Sequence, residues 1–234
     1  MKRILTIIAV VAIGLVFFTS CETSIEENGV GKHEAHEYVD LGLPSGLKWA
    51  TCNVGATTPE EYGDYFAWGE VESKETYNWS TYKYGTDYDQ LTKYCSNSSY
   101  GKDGFVDNKI VLEPEDDAAT QNMGENWCMP TKAQFEELCQ YVRFTDYSGT
   151  LPYYFGTSTI NGHTIIIPKA GWEYKDNPNT YNFAWYWSSE LMEANGSGSD
   201  YYSYMLIDSP TGGLMVKDAQ RIQGLAVRAV VKKQ

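Results

Sequence analysis

The side chains best able to do chemistry here are cysteine and histidine, and their spacing matches no catalytic or metal-binding pattern. The sequence has 5 Cys and 3 His among 234 residues. His33 and His36 lie beside carboxylates but lack HExxH spacing, and no Cys-x-x-Cys pair is present. Phosphate-binding loops, dinucleotide-binding glycine turns and nucleophile elbows are also missing. The sequence therefore predicts a protein that is not an enzyme, with no catalytic residue, metal or cofactor.

The cysteines after Cys21 raise the question of disulfide bonds. They are Cys52, Cys95, Cys128 and Cys139, and four cysteines allow three pairings. Cys128 and Cys139 would lie roughly 12 Å apart along a helix, which is too far for a disulfide. Two interpretations stay open. Either Cys52 pairs with Cys139 and joins a core strand to a helix, or all four thiols are free.

Acidic side chains are concentrated in residues 103–117. Alternating oxygen ligands in a loop can bind calcium, but the spacing of an EF-hand is not present. The favoured interpretation is a structural loop held by local hydrogen bonds, and a calcium site is the alternative.

Aromatic residues give the clearest indication of binding. The sequence has 19 Tyr and 7 Trp, whose rigid apolar faces and polar groups suit the recognition of sugars and peptides. Near the C-terminus, aromatic and polar side chains follow no core pattern, which predicts a ligand surface; solvated hairpin ends are the alternative. The candidate ligand contacts are Trp185, Tyr201, Tyr202, Lys217, Gln220, Arg221 and Gln223, with Trp79 and Tyr82 as further candidates in segment 71–104.

One amphipathic helix is predicted over residues 131–142. Thr131 can cap it, and Gln134 three residues later completes a capping box. Apolar side chains then recur at helical spacing, which indicates one face packed on a sheet. These residues are Phe135, Leu138, Cys139 and Val142.

The remaining elements are short strands, so the predicted fold class is α+β with one main helix and long loops. Asn161 and Gly162 predict a two-residue hairpin turn. Segment 71–104 has no apolar period and is predicted to be an insertion folded over the domain. Residues 225–231 are apolar on both faces and predict a central strand, in which Arg228 would need a carboxylate partner. Other strands are predicted at 38–41, 47–52, 185–190, 201–207 and 214–217.

The N-terminus has the features of an export signal. Lys2 and Arg3 precede an apolar run over residues 4–18, which is shorter than the roughly 20 residues that span a bilayer. Ser20-Cys21 resembles a bacterial lipobox, which implies acylation of Cys21; an ordinary secretory signal cleaved near Ser20 is the alternative. We expect residues 1–20 to be the signal peptide, 21–36 a flexible tether and 37–232 a single domain.

Several blocks of the sequence resemble the Fibrobacter succinogenes major paralogous domain family, in the order that family shows. They begin with YVDLGLPSGLKWATCNVGATTPEEYGDYFAWGE and continue with WCMPTKAQFEEL, IIIPKAGW, YWSSE and GLAVRAV. Cys128 and Ala229 depart from the family, which usually has Arg and Pro there. The resemblance implies a C-type lectin-like fold, a lipoprotein on the outer membrane surface of Bacteroidetes, and a binding surface near the C-terminus.

Charge narrows the class of partner. The formal net charge is -13, and a nucleic-acid partner is excluded because phosphate binding needs a basic face. We expect an adhesin-like, surface-exposed binding module for a glycan or a protein, with membrane contact through the lipid anchor alone. The alternative is a structural, tip or accessory subunit of a surface appendage.

Overall fold

The computed structural model describes residues 28–33, 35–174, 177–178, 182–192 and 200–232. Within these ranges the chain is a mixed α+β structure with mostly antiparallel sheets and two helices, α1 (Ala118–Met123) and α2 (Lys132–Tyr141), so the predicted class is confirmed at that level. The strands are β1 (Val30–His33), β2 (His36–Asp40), β3 (Lys48–Ala50), β4 (Trp127–Cys128), β5 (Val142–Tyr147), β6 (Tyr153–Ser158), β7 (Thr164–Pro168), β8 (Trp172–Tyr174), β9 (Asn177–Pro178), β10 (Tyr186–Leu191), β11 (Tyr202–Asp208), β12 (Leu214–Gln220), β13 (Gly224–Leu225) and β14 (Val230–Val231).

The largest sheet brings both ends of the described chain together. Its order is β1-β2-β3-β14-β4, with every neighbouring pair antiparallel. Val230 lies between Trp49 on one side and Cys128 on the other. Strand β14 is therefore central, as the apolar pattern on both of its faces predicts.

The predicted tether overlaps this sheet. The predicted signal peptide, 1–20, and Cys21 lie outside the described residues, but β1 falls inside the range 21–36 assigned to the tether. Val30 pairs with Val39 and His33 with His36, so the end of that range adds a strand to the domain. In the described part of the chain, no helix is long and apolar enough to cross a membrane.

Three smaller antiparallel sheets complete the architecture, with orders β10-β11-β12, β13-β8-β9 and β5-β6-β7. The hairpin between β6 and β7 is confirmed, but its turn is longer than the predicted two residues. The Ser158 amide bonds to the His163 carbonyl, which leaves a four-residue loop, 159–162. The cause is Thr159, whose amide and hydroxyl both donate to the Tyr141 carbonyl at 2.8 and 2.9 Å.

Helix α2 forms as predicted. The Thr131 hydroxyl accepts a hydrogen bond from the Gln134 amide at 3.2 Å, and the Gln134 side chain accepts one from the Thr131 amide at 2.8 Å. Phe135 and Leu138 are fully buried. Thr131 is the N-cap and Val142 is the C-cap that begins β5, so the helix is one residue shorter than predicted at each end. The apolar face thus fixes the helix on the sheets.

Helix α1 was not predicted, because six residues are too few to show a helical period. Its N-terminus is capped by Asp117, whose carboxylate accepts from the Thr120 amide at 2.8 Å and from the Met129 amide at 2.9 Å. The same carboxylate thereby ties the helix to the residue after β4. Burial raises the pKa of Asp117 above its ordinary value despite these bonds.

Segment 71–104 contributes to the core and does not simply cover it. The side chains of Tyr77, Tyr82, Tyr84 and Tyr94 are all buried, in one cluster with Trp68 and the last strands. A second buried cluster surrounds α2. The aromatic residues of this segment are therefore needed for folding, which its lack of periodicity concealed.

The predicted strand 225–231 is two short strands, β13 and β14, with Arg228 fully buried between them. The prediction that Arg228 pairs with a carboxylate is wrong. Nε donates to Asn53 Oδ1 at 2.8 Å, and Nη1 donates to the Ala50 and Thr51 carbonyls at 3.0 and 2.7 Å. Burial lowers the pKa of this guanidinium, but neutral oxygens still hold it.

Of the two interpretations of the cysteines, the structure agrees with free thiols: all four described cysteines are free, so Cys52 and Cys139 form no disulfide. Cys139 packs against the cluster around α2, whereas Cys52 faces a cavity beside α1. Burial raises the pKa of Cys128 and of Cys139 to about 12, and that of Cys95 to about 11. These three thiols are therefore protonated at neutral pH and are poor nucleophiles.

Candidate functional site

Five aromatic rings meet where segment 71–104 contacts the start of β11. Tyr201 lies at the centre of this group, which we call the Tyr201 cluster. Ring centroids of Tyr202, Tyr100, Tyr88 and Trp79 lie 4.7, 5.6, 5.8 and 6.5 Å from that of Tyr201. The last three rings meet it at 65–76°, the edge-to-face arrangement that aromatic pairs favour.

The cluster is at the surface. Tyr88 is 50% exposed, and the other four side chains are half-buried. The rings therefore offer apolar area to a ligand while their inner edges are held by one another. Three members, Trp79, Tyr201 and Tyr202, were candidates from the sequence; Tyr88 and Tyr100 were not, because only the fold brings them to Tyr201.

The residue before Tyr201 anchors the cluster. Asp200 is 2% exposed, and its carboxylate accepts from the Ser96 amide, the Ser96 hydroxyl and the Asn97 amide, all at 2.7 Å. Three short bonds to one ionised carboxylate form a strong connection. Asp200 thus fixes loop 95–97 against β11. No local pattern identifies Asp200, since its partners are over 100 positions away.

Arg221 anchors the cluster from below. It is fully buried, and its Nε donates to the Tyr82 hydroxyl at 2.6 Å. Its Nη1 donates to the Tyr94 and Asp200 carbonyls, both at 3.0 Å, and its Nη2 donates to the Lys93 carbonyl at 3.1 Å. Its own amide donates to the Tyr201 carbonyl at 2.9 Å. The Arg221 guanidinium therefore joins segment 71–104 to Asp200, the residue before Tyr201.

Two predicted ligand contacts, Arg221 and Tyr82, are consequently corrected to structural residues. Tyr82 is 6% exposed, donates its hydroxyl to the Trp68 carbonyl at 2.8 Å, and contacts Trp79 edge-on. Burial raises the pKa of Tyr82 to about 12, so it stays a neutral donor. Neither side chain can reach a ligand without unfolding its surroundings.

The other predicted contacts are divided between surfaces. Gln220 pairs with Tyr202 across the sheet and lies on the same face. Lys217 pairs with Met205, so alternation along the strand places it on the opposite face. Gln223 forms a turn with Gln220. Trp185 stacks on Trp172 with centroids 5.6 Å apart.

A second polar centre in segment 71–117 surrounds Asp116, which is 2% exposed. Its carboxylate accepts from the hydroxyls of Tyr84 and Tyr94 and from the ammonium groups of Lys83 and Lys93. Burial alone would raise the pKa of Asp116, but hydrogen bonds from Lys93, the two tyrosines and Lys83 outweigh it and lower the pKa to about 2.

The carboxylates near Asp116 are the group in which calcium could bind. Oxygens of Glu113, Glu115 and Asp116 lie within 4.8 Å of one another. The Lys93 ammonium contacts them at 2.7, 3.7 and 2.5 Å respectively. A protein cation thus already neutralises these carboxylates, which favours the structural interpretation of segment 103–117.

A cavity of about 540 Å³ lies between β2, the loop after β3 and α1. It is lined in part by His36, Cys52, Asn53, Thr57 and Met123, and the sequence did not predict it because its lining comes from segments far apart in the chain. The His36 and His33 rings contact Trp127, at centroid distances of 6.0 and 6.4 Å.

Comparison of the chain with known protein families, with curated proteins and with solved structures found no match.

Replacing Arg221 by Met should destabilise the fold by about 3–5 kcal/mol, because the carbonyls of Lys93, Tyr94 and Asp200 would lose a charged donor. Urea unfolding measures this, with Arg143→Met on the exposed side of β5 as the matched control, expected to change stability by less than about 0.5 kcal/mol. Equal unfolding midpoints for Arg221→Met and the parent would contradict the anchoring role.

Stability should also fall in acid through Asp116. An unfolded aspartate titrates near 3.9, so the ionised carboxylate stabilises the fold above that pH and the stabilisation is lost as pH falls toward 2. The difference in unfolding free energy between the parent and Asp116→Asn should shrink by about 2 kcal/mol from pH 5 to pH 2. The exposed Asp218→Asn is the control, and a difference that stays constant with pH would refute the assignment.

Proposed function

We propose that this chain is a non-enzymatic binding module that recognises a glycan or a protein through the Tyr201 cluster. The observation that carries the proposal is the cluster itself, in which five rings from two distant segments meet at the surface. Asp200 and Arg221 hold the backbone beneath it, so little conformational entropy would be lost on binding. Tyr and Trp in such positions supply contact area with few rotatable bonds.

We also propose where the protein is located and which fold its domain has. We propose that Cys21 is acylated and anchors the chain on the outer membrane, exposed at the cell surface, and that the domain is C-type lectin-like. Antiparallel sheets, one main helix and long irregular segments are compatible with that fold. The net charge of -13 suits a solvated surface domain. The family resemblance supplies the rest of this proposal.

The second candidate function, a subunit of a surface appendage, would be favoured by a C-terminal strand free to pair with another subunit. Strand β14 instead pairs with β3 and with β4, so both of its edges are filled. This pairing favours the binding module.

The anchor is tested by Cys21→Ala. Acylation would give the protein a membrane affinity that grows by about 0.8 kcal/mol for each buried methylene, so the variant should leave the membrane fraction and lose its lipid label. Cys52→Ala should remain in that fraction. Retention of Cys21→Ala with the lipid label intact would mean that residue 21 is not the acylated site.

The site is tested by probing a glycan and host-protein array with the detergent-solubilised protein and then measuring each hit with variants. Tyr201→Ala should weaken binding by at least about 2 kcal/mol, since it removes the central ring. Tyr147→Ala, which removes an exposed ring stacked on Tyr153, is the control and should bind like the parent. Binding lost with Trp185→Ala but kept with Tyr201→Ala would place the site at the Trp172–Trp185 pair.

A further inference from the structure

The charges around the Tyr201 cluster narrow the class of ligand, on the premise that the proposed function is right. Segment 71–117 has five lysines, and four of them contact carboxylates. Lys74 contacts Glu70 at 2.6 Å, Lys93 and Lys83 contact Asp116 at 2.5 and 3.2 Å, and Lys109 contacts Glu113 at 2.6 Å. The fifth, Lys102, is exposed beside Asp103 in the sequence. Four of the five lysines are therefore committed to internal ion pairs, and Lys102 forms none in the described ranges.

Two carboxylates at the edge of the cluster have no such cation. Asp87 and Asp89 flank Tyr88, the most exposed of the five rings. Asp87 accepts from the Tyr88 amide at 2.8 Å, and Asp89 accepts from the Gln90 side chain at 3.3 Å. Neither forms an ion pair with any residue in the described ranges. The sequence neighbours of Tyr88 therefore keep their negative charge.

The buried groups below the cluster do not offset this charge. Arg221 carries one positive charge and Asp200 one negative charge, and the Arg221 guanidinium bonds to the Asp200 carbonyl at 3.0 Å. These two formal charges sum to zero. A ligand would therefore contact the electron-rich ring faces of the Tyr201 cluster, with Asp87 and Asp89 next to Tyr88 in the sequence. The whole chain has a net charge of -13.

We propose that the Tyr201 cluster binds a basic segment of a protein partner, with an arginine side chain lying on the Tyr88 and Tyr201 rings and paired with Asp87 and Asp89. A guanidinium stacks on aromatic faces and forms forked hydrogen bonds with carboxylates, so one side chain satisfies both features. A neutral glycan could stack on the rings and donate hydroxyl hydrogen bonds to the carboxylates, but it would leave their negative charge unpaired. The acidic surface would also steer a basic partner toward the site.

The direct test is calorimetry of the detergent-solubilised full chain with a tetra-arginine peptide capped at both ends. Tetra-arginine should bind, more weakly at about 0.5 M NaCl than at about 0.05 M, because exposed charges are screened by salt. Capped tetra-glutamate and a neutral maltoheptaose should not bind. The double variant Asp87→Asn/Asp89→Asn should lose about fivefold or more in affinity for tetra-arginine, as should Tyr88→Leu.

The matched control is Glu72→Gln/Glu75→Gln, which removes the same charge from two exposed positions of the same segment away from Tyr88. It should stay within about twofold of the parent. Equal losses in the two double variants would show general charge attraction and overturn the proposal. Maltoheptaose or array-glycan binding that depends on Tyr201, without tetra-arginine binding, would overturn it while the binding function stands. If no ligand on the array or in the calorimeter depends on Tyr201, both fail.

Discussion

The solvation of the buried Arg221 guanidinium is the constraint on which the irregular half of this protein depends. A charge taken out of water must regain its hydrogen bonds inside the protein, or the fold loses more than it gains from burial. Here the acceptors are carbonyls from residues 93, 94 and 200 and the Tyr82 hydroxyl. Because all must point at one planar group, a segment without a sheet ladder still acquires a single arrangement.

Arg228 organises a second loop in a similar way, although its Nη2 has no hydrogen-bond partner among the described residues. Its donors reach the carbonyls of Ala50 and Thr51 and the side chain of Asn53, where the chain leaves β3 for a loop. The Asn53 amide in turn donates to the Tyr186 hydroxyl at 3.1 Å. Both arginines thus satisfy backbone that sheets do not, and a neutral acceptor costs less to desolvate than a carboxylate. The same logic explains why buried tyrosines, which donate to carbonyls and carboxylates, are so numerous here.

Local patterns predicted the elements whose cause is local. The capping box of Thr131 and Gln134 and the apolar spacing of Phe135 and Leu138 lie within a few residues of one another, so the sequence suffices to predict α2. The positions of β2, β3, β10, β11 and β12 followed from short apolar runs. Arg221 and Tyr82 were misassigned to the ligand surface because their burial depends on partners up to 139 positions away. Asp116 depends on partners 22 to 33 positions away and Tyr88 on Tyr201, more than 100 positions away, and no period in the chain reports these contacts.

The central position of β14 has a consequence for the order of events during synthesis. Strands β1, β2 and β3 leave the ribosome first, yet the free edge of β3 is filled only when residues 230–231 have been made. Strand β4 pairs with the same two residues, so this pairing also cannot form before they have been made. The apolar faces of Trp49 and Trp127 therefore have no complete sheet around them until the chain has emerged past β14. The largest sheet can therefore be completed only after β14 has been made, and contacts of such long sequence separation form slowly.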